Sequence, residues 1–308
     1  MSAPRIETLI IQYSKWVPCI GFNYNENKIK TDSSIQEHKI DPCQGLENVQ
    51  LSTRLGSSST VGIVMKYAPP EEKSALFAMK IIPGMLRELS IRREIATSRY
   101  LSDTNSLFYP RLYSYGECQK IMFPEDKETK PGIYLVYELL SFDMRQLLSM
   151  LPSLDIKEDD LFDLIYSVFQ ALKDLIIRQV LHPDTHTGNI MFRCLPSGMI
   201  EPVIIDFGSC ILPENIFFIY DPTPKAKIGF FSKKPLSNLN FTDRLESLPG
   251  VDLFISTCVA EFVNEQNTKR YPKITNALNA IFTLSKLEGK KSLPNYMEIF
   301  NQTYQASK

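Results

Sequence analysis

Two short segments near the middle of the chain constrain it more than any other feature. His182-Pro183-Asp184-Thr185-His186-Thr187-Gly188-Asn189 is followed by Ile204-Ile205-Asp206-Phe207-Gly208. Together they supply a carboxylate, a carboxamide five residues on, and a second carboxylate on a turn just after an apolar run. Phosphoryl transfer from a metal–nucleotide complex needs such a set. One acid orients the attacking hydroxyl, and an amide and a second acid hold the metal that bridges the phosphates. Asp-Phe-Gly alone arises often by chance. Both segments in order, 17 residues from Asn189 to Asp206, are far harder to obtain by accident.

At these residues the chain resembles the protein-kinase-like superfamily. The resemblance implies an α+β, bilobal fold. Residues 51–138 would form a small β-rich N-lobe and 139–308 a mainly helical, shortened C-lobe, behind an N-terminal extension of 1–50. It implies ATP as phosphoryl donor and Mg²⁺ or Mn²⁺ as metal, with Asp184 catalytic and Asn189 and Asp206 on the metal.

The family's other parts have counterparts upstream. Leu55-Gly56-Ser57-Ser58-Ser59-Thr60-Val61-Gly62-Ile63-Val64 is small-residue-rich, so its backbone amides can approach an anion closely. By itself it fits a phosphate loop or an ordinary hairpin. It has one residue more than the family pattern, and its middle glycine is replaced within the serine run. The resemblance puts Gly56, Ser57, Ser58 and Gly62 over the phosphates, with Val64 and Ala78 at the nucleotide.

Ala75-Leu76-Phe77-Ala78-Met79-Lys80-Ile81-Ile82 is strand-like with one lysine in its middle. Such a lysine either snorkels to water or has an anionic partner. Eighteen residues after Gly62, Lys80 matches the family's nucleotide lysine. Its acid partner is expected on the following helix, with Glu94 chosen and Glu88 as the fallback. Gly132 to Leu140 reads as a buried strand. By resemblance Tyr137 guards the back of the adenine pocket, and the backbone from Glu138 to Leu140 binds the adenine edge.

Asp155-Ile156-Lys157-Glu158 carries the signature of an acidic cap with a Glu three residues later. After it, Leu161, Leu164, Ile165, Val168, Phe169, Leu172, Leu175 and Ile176 recur on one helical face, which is a core face. Ile274, Leu278, Ile281 and Phe282, then Tyr296, Ile299 and Phe300, predict two closing helices. Gly250 to Val259 resembles the buried central helix of the family's large lobe, with Asp252 bonded to the catalytic-loop backbone.

Three departures bear on function. Pro183 stands where many protein kinases carry an arginine that pairs with a phosphate on the activation segment. Switching by phosphorylation of that segment is therefore not expected to work in the usual way. His186 replaces a lysine, and Asp-x-His-x-Gly-Asn is similar to haspin-type protein kinases and to small-molecule phosphotransferases such as aminoglycoside and choline kinases. The segment from Cys210 to Pro249 lacks an Ala-Pro-Glu-like end, as in haspin-like kinases and some divergent kinases of large DNA viruses. Within it Lys225, Lys227, Lys233 and Lys234 form either a basic lip for an acidic substrate or a solvated run.

A chain of 308 residues suits one bilobal unit, and a net charge of −1 gives no reason to expect nucleic acid. No apolar run is long enough to span a bilayer, and no signal pattern opens the chain. The six cysteines lack metal-type pairing and, so widely spread, suit a reducing compartment, with the cytoplasm as expected location. Residues 1–50 hold the only tryptophan, Trp16, and either pack on the small lobe or dock a partner. The expected activity is transfer of the γ-phosphate to serine or threonine of a protein substrate. A pseudokinase or scaffold and a small-molecule kinase remain the alternatives.

Overall fold

The computed structural model describes residues 43, 62–67, 77–85, 88–104, 106–122, 128–194, 200–222, 249–287 and 292–306. Gly56, Ser57 and Ser58, the lysines from Lys225 to Lys234, and all of residues 1–50 except Cys43 lie outside these.

Strand β1 (Ile63–Tyr67), β2 (Phe77–Pro83), β3 (Leu112–Ile121) and β4 (Lys130–Glu138) form one antiparallel sheet in the order β1-β2-β4-β3. Side chains alternate across a strand, and β2 uses both faces. Phe77, Met79 and Ile81 pack with Cys118, Tyr134 and Val136 on one side. On the other, Ile82 joins Ile133, Leu135 and the residues Ile91 and Ile95 of helix α1 (Leu89–Asp103). Lys80 shares the face of Ile82, so alternation alone turns it toward α1.

The remaining elements are mostly helical. A three-stranded sheet, β5 (Phe142–Asp143), β6 (Ile190–Cys194) and β7 (Ile200–Ile204), lies beside α2 (Met144–Met150) and α3 (Glu158–Ile177). Asp143 and Gln146 make a reciprocal capping box that starts α2. After α4 (Glu214–Tyr220) come α5 (Pro249–Phe262), α6 (Glu265–Arg270), α7 (Pro272–Lys286) and α8 (Leu293–Ala306). The last two are the expected closing pair. The apolar face of α3 is buried as its periodicity predicts, and Phe162 stacks on Tyr304 at 3.9 Å and Phe300 at 5.1 Å between ring centres. Phe169 meets Phe254 of α5 edge-on at 5.3 Å. These rings tie α3, α5 and α8 into one core, each buried aromatic contributing about 1.5–3 kcal/mol.

Two expectations need correction. The acidic cap predicted at Asp155 does not form, because α3 begins at Glu158 after Lys157 and no side chain caps it. Glu158 instead accepts N–H bonds from Lys273 (2.8 Å) and Ile274 (3.2 Å), satisfying the first turn of α7. Those donors have no partner within their own helix, and a carboxylate reaching in from another helix serves them better than it serves its own start.

The cysteines are not all free thiols. Cys43 and Cys118 form a disulfide across 75 positions of sequence, with their Cα atoms 5.4 Å apart, and Cys194 is also disulfide-bonded. Cys210 and Cys258 are free and buried. Spacing along the chain could not show that the fold brings residue 43 onto β3, and the cysteine argument for a reducing compartment therefore falls. Among the described residues, no helix is long and apolar enough to cross a membrane.

Candidate active site

The two central motifs are neighbours because the chain between them is a hairpin. β6 and β7 pair antiparallel from Ile190↔Ile204 to Cys194↔Ile200. One step beyond the ladder, the Ile205 N–H donates to the Asn189 carbonyl at 3.0 Å. Asn189 and Asp206 thus emerge at the same end of one hairpin. The 16 residues between them are two five-residue strands, their connection and Ile205.

Three charged side chains converge there. The Lys80 Nζ donates to Glu94 Oε1 at 2.6 Å and to Asp206 Oδ1 at 2.9 Å. Lys80 and Glu94 are almost wholly buried, whereas the Asp206 side chain keeps 35% exposure. Burial disfavours the Lys80 charge, but the Glu94 and Asp206 carboxylates outweigh it and raise its pKa above the usual lysine value. Burial also pushes Glu94 up, against the pull of Lys80. For Asp206, burial is outweighed by Lys80 and by the Gly208 N–H, so its carboxyl lies below the usual range. Asp206 itself has a left-handed backbone, φ 63°, uncommon for a non-glycine residue and found chiefly where surrounding structure enforces it. Gly208 lets Glu94 come close, since a Cβ there would sit 3.2 Å from Glu94 Oε2. Glu88, the fallback partner, is exposed and accepts from the Met85 N–H before α1.

The loop carrying Asp184 is held from several sides. His182 is buried; its Nε2 meets the Ile205 carbonyl at 3.1 Å and its Nδ1 accepts from the Asp184 N–H at 3.3 Å. Burial lowers the His182 pKa, which keeps it neutral for this bracing. The Asn189 Nδ2 donates to the Asp184 carbonyl at 2.8 Å, leaving Oδ1 as the atom of that carboxamide able to hold a cation. The Asp184 carboxylate is half exposed, with His186 Nε2 4.0 Å away. His186 Nδ1 accepts from the Gly188 N–H at 3.0 Å, which puts the proton of the neutral ring on Nε2, toward Asp184.

Sequence reasoning missed the outer supports. Thr187 donates its N–H to Thr257 Oγ1 at 3.3 Å and its hydroxyl to Glu261 Oε2 at 2.6 Å. Arg145 of α2 bonds the other Glu261 oxygen at 2.9 Å. An acid placed between Ala260 and Phe262 in an apolar helix was the available signal. Asp252 accepts from the Tyr296 hydroxyl at 2.8 Å. Gly250 lies so close to the loop that a Cβ would fall 2.1 Å from the His182 carbonyl oxygen.

Of the expected nucleotide residues, Val64, Ala78 and Tyr137 lie on the strands around Lys80. Val64 lies opposite Lys80 in the β1–β2 register, and Ala78 opposite Tyr137 in the β2–β4 register. Gly62 borders β1, and a Cβ there would stand 2.6 Å from the Ile81 carbonyl oxygen. The Tyr137 hydroxyl and Ser98 of α1 are 2.8 Å apart. Burial, then the nearby Glu94, raises the Tyr137 pKa, so it stays a neutral phenol. Glu138 donates its N–H to the Arg111 carbonyl at 3.1 Å and ion-pairs with Arg193. A backbone donor for a ligand must therefore come from the residues after it, which end in the buried Leu140.

Among the described residues no three His, Cys, Asp or Glu side chains cluster as a metal cage. A carboxylate and a carboxamide oxygen are instead the hard, sparse donors that suit Mg²⁺ shared with phosphates and water. No protein-family model matches the chain. Mitogen-activated protein kinase 7 of Arabidopsis thaliana is 27% identical over 110 residues, which are 36% of this chain and 28% of that protein. The matched part thus spans well under two thirds of the relative's length. That partial likeness and the mixed α+β architecture, a β-rich sheet with several helices, are compatible with a kinase-like fold.

Proposed function

We propose that the chain is an ATP-dependent phosphotransferase with a bilobal kinase-like fold, acting on serine or threonine hydroxyls of a protein. The observation that carries the reading is the contact of Lys80 with both Glu94 and Asp206, beside a loop that presents Asp184 and Asn189. Lys80, held by Glu94, anchors the nucleotide phosphates, and Gly62, bordering the start of β1, lies beside them. Asp184 orients the acceptor hydroxyl and takes its proton as the oxygen bonds to the γ-phosphorus and the bond to the β-phosphate oxygen breaks, releasing ADP. Asp206 and Asn189 hold the divalent cation, which when bound neutralises phosphate charge. The half-exposed Asp184 carboxylate suits an acceptor arriving from solvent.

One observation favours a second reading, a small-molecule kinase. His186 stands 4.0 Å from Asp184 within the Asp-x-His-x-Gly-Asn pattern. Basic and acidic protein acceptors, offered beside choline and aminoglycosides with labelled ATP, separate the two. Label in protein alone supports the first reading, and label in a metabolite alone replaces it.

A further inference from the structure

The chain after Asp206 is fastened at successive points. Phe207–Ser209 forms a short turn against Glu94, and Leu181 and Ile211 exchange backbone bonds of 3.0 and 2.9 Å. Helix α4 then lies along α1, and at its end the buried Asp221 receives Arg92. Nε donates to Oδ1 at 2.9 Å and Nη2 to Oδ2, a two-pronged pair in which both side chains are nearly sealed from water. The Arg92 guanidinium also lies 5.6 Å from the Phe217 ring centre. About two turns further along α1, Arg99 donates to the Tyr220 carbonyl at 2.8 Å and Tyr100 packs on the Tyr220 ring at 5.3 Å.

Arg92 and Glu94 are two residues apart, so they project about 200° apart around the α1 axis. Lys80 holds the helix on one side and Asp221 on the other. Withdrawing Glu94 by rotating or sliding α1 would strip Arg92 from its partner inside the protein, leaving two buried charges uncompensated. The pair is complete without any added phosphate, and Pro183, beside Asp184, offers no cation to receive one.

We propose that Arg92 and Asp221 are positioning residues. They lock the segment following Asp206 onto α1 and so hold Glu94 against Lys80 without phosphorylation. The consequence for turnover rests on the phosphotransferase reading; the hold on α1 does not.

Hydrogen exchange of residues 89–103 and ATP turnover are to be measured together for wild type, Arg92→Met, Arg92→Lys and Asp221→Asn. Arg178→Met serves as control, since it breaks a more exposed ion pair, with Asp174, outside the site. Arg92→Met and Asp221→Asn are expected to speed α1 exchange and lower kcat by about tenfold or more, the usual span of such coupling. Arg92→Lys restores part of both, and Arg178→Met changes neither. Phosphatase-treated wild type keeps its full kcat. Unchanged α1 exchange in both charge-removing variants, faster exchange with undiminished kcat, or loss of kcat on phosphatase treatment overturns the proposal. Should Arg92→Met fail to fold, Asp221→Asn, which keeps the volume, carries the same comparison. A wild type that turns over no ATP overturns the functional reading, while the exchange data still decide whether the pair holds α1.

Discussion

Gly250→Ala tests how the loop bearing Asp184 is held. The added Cβ would lie 2.1 Å from the His182 carbonyl oxygen, 2.5 Å from Thr185 Oγ1 and 3.3 Å from the His182 carbonyl carbon. Carbon and oxygen normally stand more than 3 Å apart, so either the loop or the start of α5 must shift by roughly 1 Å. Thr185 can rotate; the His182 carbonyl is backbone and cannot. Alanine gains at most about 1 kcal/mol of helix propensity over glycine, and less at a helix end. Overpacking costs about 1–3 kcal/mol. A net loss of about 1–2 kcal/mol in urea unfolding is expected, read as a lower midpoint at unchanged m. Turnover should suffer more, since a 1 Å misplacement of a reacting group can cost about a hundredfold. Phosphotransfer kinetics beside the unfolding curve supply both values. A variant with wild-type kcat and wild-type stability would refute the docking of α5 on this loop.

Two further predictions concern charge. Lys80→Met leaves Glu94 and Asp206 facing each other without their cation; breaking such a buried pair costs about 3–5 kcal/mol, and turnover should fall sharply as the ATP requirement rises. Unchanged stability and ATP kinetics would remove Lys80 from the site. His182 titrates below its usual value in the fold because it is buried, so the unfolded chain takes up its proton first as pH falls. Stability should therefore drop from about pH 7 through the ordinary histidine value near 6.5 and level off below the folded value, at a slope of up to about 1.4 kcal/mol per pH unit. Melting curves from pH 8 to 5 should show this component in wild type and not in His182→Gln; equal slopes would contradict it.

Local pattern made the core legible in the sequence. The 3.6-residue recurrence from Leu161 to Leu175 is the buried face of α3, and the two apolar sets near the end are α7 and α8. The spacing from Asn189 to Asp206 marked the two motifs as a set, whereas the β6–β7 hairpin that brings them to one end is seen only in the structure. What stayed hidden depends on contacts between distant positions. Arg92 and Asp221 are 129 residues apart, and Arg92 on a helix reads as a solvated face until α4 is laid against it. Glu158 looked like the start signal of its own helix and serves another more than a hundred residues later. The bond between Tyr137 and Ser98, which ties β4 to α1, joins two residues of ordinary appearance. The Cys43–Cys118 disulfide depends on a fold-wide approach that spacing does not encode.

The central claim is that Asp184 serves phosphoryl transfer, and labelled phosphate tests it most directly. Wild type and Asp184→Ala are incubated with γ-labelled ATP, Mg²⁺ or Mn²⁺, and generic protein acceptors, after far-ultraviolet circular dichroism has established that both are folded. Asp184 is half exposed, so its loss should leave the fold intact. The account predicts label in protein with wild type and none above background with the variant. Equal label from both would contradict the assignment of Asp184, and no label from either, with metabolite acceptors also unlabelled, would contradict the activity itself.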